Sequence, residues 1–373
     1  VPNLRFKEFQ GEWRRSKFKK VITLQRGSSP RPIIKYITTS TDGVNWIKIG
    51  DMPHFGRIVT STEEKITREG AKKSRLVKKG DLILSNSMSY GLPYIMGIDG
   101  YIHDGWFVLK DFEDTFDKDY LCNLLISSAI QNQYKRLAAG GVVQNISSDL
   151  VNSVSVSIPL MEEQKKISSL LNLIDDRIAT QNKIIDNLQS LIRGIRNEVF
   201  GKLRKTVGFN AIIGDVLSYE QPQSYIVEDT EYTNEGTPVL TANKAFVLGY
   251  TSETDGVYDK GDCIIFDDFT LDCKYVDFSF KVKSSAIKIL TAKNKELLRY
   301  TFEFLKHLDL STDEHKRHYI AETQNQSFIL PNAEMIEIIA HTFSALSLQM
   351  QYAIKQRNKH EEQKLYLLRQ MFI

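Results

Sequence analysis

The tripeptide Lys-Gly-Asp, followed at once by a short apolar run, occurs twice in this chain. It stands at Lys79-Gly80-Asp81 in "KKGDLILS" and at Lys260-Gly261-Asp262 in "DKGDCIIF", 181 positions apart. An internal repeat constrains architecture more than any local propensity does, and this one extends in both directions. Upstream, "VNWIKIGDM" from Val44 answers "TPVLTANKA" from Thr237. Downstream, "HDGWFVL" ends at Leu109 and "SSAIKIL" at Leu290, again 181 apart. "YKR" at Tyr134 answers "HKR" at His315, and Gln144-Asn145 answers Gln324-Asn325. Each half closes with a proline, Pro159 or Pro331, that opens a long helical stretch. Five matches in one order mean duplication: a globular domain followed by a helix, written twice.

The globular parts read as α/β (α+β). "LILS", "CIIF", "WFVL" and "AIKIL" are short β-rich runs bounded by Gly and Asp. "KDYLCNLLISSAIQNQYKRL" and "KELLRYTFEFLKHL" carry apolar residues at helical spacing. The boundaries that follow are 1–157 for the first globular domain, 158–200 for the first helix, 201–330 for the second domain and 331–373 for the second helix.

The helices carry a seam. From Ile167, alternating steps of four and three reach Leu171, Ile174, Ile178, Gln181, Ile185, Leu188, Ile192, Ile195 and Val199, with only Gln181 polar. That is an a/d pattern of about four heptads, on a helix of roughly 60 Å. The second helix begins the same seam at Ile339, Phe343, Leu346 and Met350. It is then interrupted by Arg357, His360 and Lys364 and resumes at Leu365, Leu368 and Phe372, like a coiled-coil stutter. A lone seam is satisfied by an ordinary core helix. Two equal-length helices, each leaving its own domain, favour pairing with each other, and a whole domain between them allows an antiparallel course.

Charge is uneven. Residues 1–157 hold 23 Lys+Arg against 16 Asp+Glu, whereas residues 201–330 hold 15 against 20. A basic first domain suits a polyanion partner, and the acidic second domain supplies no such argument. Three scattered cysteines, the absence of an 18-residue apolar run and a start, "VPNLRFKEFQGEW", without a signal-peptide core lead to the expectation of a cytoplasmic protein with no membrane contact.

Motifs for chemistry are missing. No Walker-type Lys-Ser/Thr loop, GxGxxG helix start or Asn-Pro-Pro-aromatic run is present. His315 and His318 lie far from Cys263 and Cys273, so a zinc site is not expected, and acidic pairs such as Asp267-Asp268 read as solvated turns. The expectation is no catalytic residue, no metal and no cofactor in this chain.

The residues suited to nucleic acid are polar and clustered. Arg57, Lys65, Arg68, Lys72, Lys73, Arg75, Lys78 and Lys79 crowd one stretch and can contact phosphates, although such a run is also an ordinary solvated loop. "SNSMSYG" supplies Ser87 and Tyr90 after a strand, and "AGGVVQN" is a glycine loop ending in Gln144 and Asn145. Gln and Asn can pair bidentately with adenine; a plain turn explains one such pair, but its recurrence as Gln324-Asn325 strengthens the functional reading. Arg26, Asn243, Lys244, Lys274, Lys316 and Arg317 complete the candidate DNA-binding set.

The organisation resembles the specificity subunit of Type I restriction–modification systems over essentially the whole chain. The carriers are "EWRRSKFKKVITLQRGSSP", "NWIKIGDM", "KKGDLILS", "GGVVQNIS" and "IPLMEEQKKISSLLNLIDDRIATQNKIIDNL". The second half departs after Pro331, where "NAEMIEII" replaces "LMEEQKKI". The resemblance implies two target-recognition domains separated by two long antiparallel coiled-coil helices, with pseudo-twofold symmetry. Each domain would read one half of a bipartite site in double-stranded DNA. The helices would set the spacing and dock two methyltransferase subunits. Those partners would use S-adenosylmethionine to methylate adenine N6, and motor-nuclease subunits would use ATP and Mg²⁺. Two other readings are weighed against this one: an enzyme whose site carries no recognisable motif, and a scaffold with two peptide-binding domains on a coiled coil.

Overall fold

A computed structural model describes residues 2–53, 55–86, 91–138, 146–242, 245–312 and 316–373. The chain divides into two units, Val1–Lys183 with Lys355–Ile373, and Ile184–Ile354. Their sheets are built to one plan. In the first unit, Leu82–Ser85 lies between Trp106–Lys110 and Pro93–Met96, with Thr23–Arg26 beyond Trp106–Lys110. In the second, Cys263–Asp267 lies between Ile287–Ala292 and Cys273–Val276, with Leu217–Glu220 beyond Ile287–Ala292. Val44–Ile47 runs parallel to Gly100–Ile102 in a further sheet, and Thr237–Leu240 runs parallel to Lys281–Val282 in its counterpart. The fold is α+β, with mixed sheets and long helices.

The repeated Lys-Gly-Asp has a physical reason. Gly80 and Gly261 adopt φ of +92° and +95°, a left-handed turn that glycine enters without steric cost. The aspartates that follow anchor it: Asp81 accepts from Lys78 N (2.9 Å) and Lys110 Nζ (2.6 Å), Asp262 from Tyr275 Oη (2.6 Å). In each unit a lysine opening the next helix closes the turn. Lys118 Nζ donates to Gly80 O at 2.7 Å, and Lys295 Nζ meets Asp262 at 2.8 Å. Those helices, Lys118–Ile126 and Lys295–Leu308, are capped alike by Asp117 and Asn294.

The first long helix runs Met161–Thr206, past Phe200, and the second Ala333–Met371. Both enter the globular cores. In the first unit Ile167, Leu171 and Ile174 pack in one cluster with Leu367, Leu368, Met371 and Phe372, and Lys364 Nζ meets Asp175 at 2.5 Å. The start of one helix there meets the end of the other, an antiparallel course. In the second unit Ile192, Ile195 and Val199 cluster with Ile336, Ile339, Phe343 and Leu346. Ile178 packs against the first core, Ile185 is buried, and Leu188 and Met350 are half-buried. The second seam resumes at Leu367 and Leu368, not at Leu365, whose side chain is 53% exposed.

The start of the first long helix explains its sequence. Glu163, fully buried, takes two bonds from Arg5 at 2.7 and 2.8 Å. Gln164 is buried beside it. Its Nε2 donates to Thr115 O and Pro159 O, and its Oε1 accepts from Asp117 N. The second long helix has neither device; Asn332 Oδ1 caps it by accepting from Met335 N.

Candidate nucleic-acid interface

Ser87, Tyr90, Gln144, Asn145, Asn243 and Lys244 lie outside the described residues. The flanks of the first four are described, and they meet. Ile146 N, just after Asn145, donates to Asn86 O at 2.8 Å. Gly91 is packed so closely that a Cβ there would lie 2.7 Å from Tyr134 and 3.4 Å from Ile146. The strand-end segment and the glycine loop, 54 residues apart at their candidate positions Tyr90 and Gln144, are therefore hydrogen-bonded neighbours at their ends.

A thread of contacts joins this junction to the basic stretch. Asn86 Nδ2 donates to Asp104 O at 2.9 Å, and Arg26 Nε donates to the same carbonyl at 3.2 Å. Arg75 donates through Nε to Arg26 O and through Nη1 to Gln25 Oε1. Ser28 Oγ reaches Lys73 O, and Lys73 Nζ reaches the Tyr36 hydroxyl. His103 holds the turn: its Nδ1 accepts from Gly105 N at 2.7 Å, and burial pushes its pKa below the ordinary value, which keeps that nitrogen free to accept. Asn86, His103 and Asp104 belong to "SNSMSYG" and "HDGWFVL" and carry no motif of their own. Nothing in the spacing of Asn86, His103 and Asp104 signals that they sit between Arg26 and Ile146.

The basic stretch does not act as one surface. Arg68 and Lys72 are exposed on a single helical turn, and Lys65 is half-buried on Glu64–Ile66. Arg57 is placed differently from the others. Its Nη2 meets Asp175 at 2.8 Å and Asn123 at 3.1 Å, in a cleft of about 740 Å³ lined by Phe55, Tyr94, Asp119, Asn182 and Lys364. A cation held by a carboxylate on the first long helix braces the fold there.

The second unit forms the same junction with different chemistry. Asp268, just after its Lys-Gly-Asp strand, accepts from His318 N (3.0 Å) and Tyr319 N (2.8 Å). Lys288 Nζ lies 3.4 Å from Asp268 and donates to Gln221 Oε1 at 2.8 Å; Lys288 and Asp268 are each 1% exposed. Gln324 and Asn325 lie on a 3₁₀ turn and donate to the carbonyls of Ile320 and Ala321. Their acceptor oxygens remain for another partner. Lys316 pairs with Glu322 at 2.8 Å and Lys274 with Asp272 at 3.3 Å, while Arg317 makes one long contact to Ser285. The cations of this unit are largely matched by its own acids.

Among the described residues no group of three His, Cys, Asp or Glu is arranged to hold a metal, and no helix is long and apolar enough to cross a membrane. Burial pushes the thiols up to about 11 for Cys122 and about 12 for Cys263 and Cys273, which makes them poor nucleophiles at neutral pH.

The paired sheets, the long helices and the loop junction at each strand end define a class that comparison identifies. Residues 10–190, just under half of the chain, match the model of the Type I restriction modification DNA specificity domain. It is 38% identical over 165 residues to the Type I restriction enzyme EcoR124I/EcoR124II specificity subunit of Escherichia coli, covering 39% of this chain and 41% of that protein. It is 26% identical over 209 residues to the Type I restriction enzyme MjaVIII specificity subunit of Methanocaldococcus jannaschii, covering 53% and 48%. The chain spans less than half the length of these curated relatives. The solved Type I restriction–modification S subunit of M. genitalium has the same fold, with a TM-score of 0.66 at 13% identity, covering 100% of this chain and 99% of that one.

Proposed function

We propose that this chain reads DNA sequence for a Type I restriction–modification complex and catalyses nothing itself. Each globular unit reads one half of a bipartite, asymmetric site in double-stranded DNA. The long helices set the gap between the halves and dock two methyltransferase subunits. Those subunits carry S-adenosylmethionine and methylate adenine N6, and motor-nuclease subunits with ATP and Mg²⁺ cut unmodified DNA. The observation that carries the reading is the junction of the strand-end segment with the glycine loop in the first unit, threaded through Asp104 to Arg26 and Arg75. Backbone flanks fastened at a strand end suit base contacts by the residues they bracket, and the nearby cations suit phosphates.

The test is the methylome of a host expressing this chain with the methyltransferase subunit of its own system. A new bipartite N6-methyladenine motif with a fixed gap is expected. A soluble complex that leaves no motif would refute the reading. At residue level, Lys72→Ala with Lys73→Ala weakens binding of all duplexes alike and lowers the salt slope by roughly 2, at about 0.9 per phosphate contact. Affinities titrated against KCl check this, and an unchanged slope removes the turn from the interface.

A further inference from the structure

A groove beside the Ser128–Ala138 helix gathers four cations. Its volume is about 540 Å³, and Arg15, Lys17, Lys20 and Arg136 line it with serines, Gln133, buried Val156 and half-buried Ile373, without any carboxylate side chain. Other cations in this unit do meet acids, as Arg5 does Glu163, Lys48 Glu64, Arg57 Asp175 and Lys110 Asp81. Arg15, Lys20 and Arg136 form no ion pair among the described residues.

Rigid elements hold these cations. Arg15 and Lys17 stand two apart on Arg14–Lys17, opposite Ser157 and Ser155 of the antiparallel strand, so they share one face. Lys17 Nζ is braced by Ser153 O at 2.9 Å and Ser155 Oγ at 3.0 Å. Lys20 ends a 3₁₀ turn that is pinned by fully buried Phe18. Gln133 bonds both backbone groups of Ser155, donating to its O and accepting from its N at 2.9 Å each. That fixes the helix on the strand edge and presents Arg136 about one turn further on.

We propose that this groove holds the phosphate backbone of the duplex beside the bases read by the first unit, which rests on the DNA-reading function above. Arg136 lies eight positions before Gln144 in the chain. No exposed large hydrophobic side chain lines the groove. Phosphates need only cations and hydroxyl or amide donors, whereas a protein segment gains its affinity from buried apolar anchors.

The experiment uses the full chain assembled with its methyltransferase subunits. Arg15→Ala/Lys20→Ala/Arg136→Ala is compared with wild type on a duplex carrying the motif and on a random duplex, over a KCl series. Both affinities fall at least about tenfold and the salt slope falls by roughly 2 to 3, with the methylated motif unchanged. Arg136→Gln, a single exposed change, lowers the slope by about 1 and keeps the conclusion independent of the triple variant's folding. An unchanged slope, with wild type still binding its motif, overturns the groove and leaves the DNA-reading function standing. Lost subunit assembly at an unchanged slope also overturns it, in favour of an acidic protein segment. A wild-type complex that prefers no sequence overturns the DNA-reading function itself.

Discussion

Glu303→Ala destabilises the second unit by about 3–5 kcal/mol, the range for leaving a buried charge without its partner. Glu303 is 1% exposed and answers two arginines at once. Arg196 of the first long helix reaches its Oε2 at 3.0 and 2.7 Å, and Arg299 reaches its Oε1 at 2.8 Å. Arg299 also donates to Phe343 O at 3.1 Å and to the Ser347 hydroxyl, both on the second long helix. One carboxylate therefore ties three helices of this unit together, and its removal leaves two guanidinium groups facing each other away from water. The measurement has a built-in internal control. All three tryptophans, Trp13, Trp46 and Trp106, belong to the first unit. In a urea titration the helical circular dichroism of Glu303→Ala gives way early, while tryptophan fluorescence holds its wild-type midpoint. A loss below about 1 kcal/mol would mean that water reaches the arginines and the network acts as a surface pair. Replacing all three charges by Arg196→Met, Arg299→Leu and Glu303→Leu restores most of the stability, because the penalty is for a broken network rather than for a missing one.

This network also marks the limit of what the sequence conveys. The repeat was legible because its markers are backbone devices: a left-handed glycine needs Gly80 and Gly261, and the helix that follows needs Asp117 or Asn294 at its cap. Such needs write the same residues at the same offset. The seam was legible for a similar reason, since Ile167, Leu171 and Ile174 must share one helical face. Pairings across the chain leave no local trace. Arg57 reads as one more cation in a basic run, yet its acid, Asp175, lies 118 residues away on a helix. Nor does any periodicity show that Glu163 and Gln164 turn into the first core, or that both long helices join the cores of the globular parts.

The candidate site was legible by type and not by connection. Along the sequence "SNSMSYG" reads as small polar donors and a tyrosine after a strand, and "AGGVVQN" as a glycine loop ending in Gln-Asn. That Asn86 and Ile146 join them, and that Asp104 links them to Arg26, follows from strand order: Trp106–Lys110 lies between Leu82–Ser85 and Thr23–Arg26, bringing the ends of all three together. In the second unit the Asp267-Asp268 pair reads along the sequence as a solvated turn, whereas in the structure both residues are buried. Asp268 is buried because it replaces a neutral junction residue with a charge that Lys288, His318 N and Tyr319 N neutralise. Along the sequence, an aspartate after a strand looks the same whether it faces water or a lysine 20 residues on.

The same pair gives the second large effect, and this one reports on function. Asp268→Ala costs the second unit about 3 kcal/mol or more, since Lys288 is left buried without its counter-charge and Tyr319 N loses its acceptor. The segment from His318 to Gln326 then keeps the backbone bond from His318 N to Asp268 O at 3.1 Å but loses both bonds to the carboxylate, so Gln324 and Asn325 are held less firmly. The expected outcome is asymmetric. If the chain reads a bipartite site as proposed, a complex carrying Asp268→Ala still assembles and still requires the first unit's half-site, but its methylation spreads over altered bases in the other half. Adding Lys288→Met removes the stranded charge and recovers a large part of the stability, on the order of half, without restoring selectivity, because the acceptor for Tyr319 N is still missing. Stability regained with selectivity still lost separates the positioning of the reading segment from plain loss of folding. If the single variant keeps both halves of its motif and its circular-dichroism midpoint, the junction does not hold the reading segment, and the base contacts of this unit must be sought elsewhere on its surface.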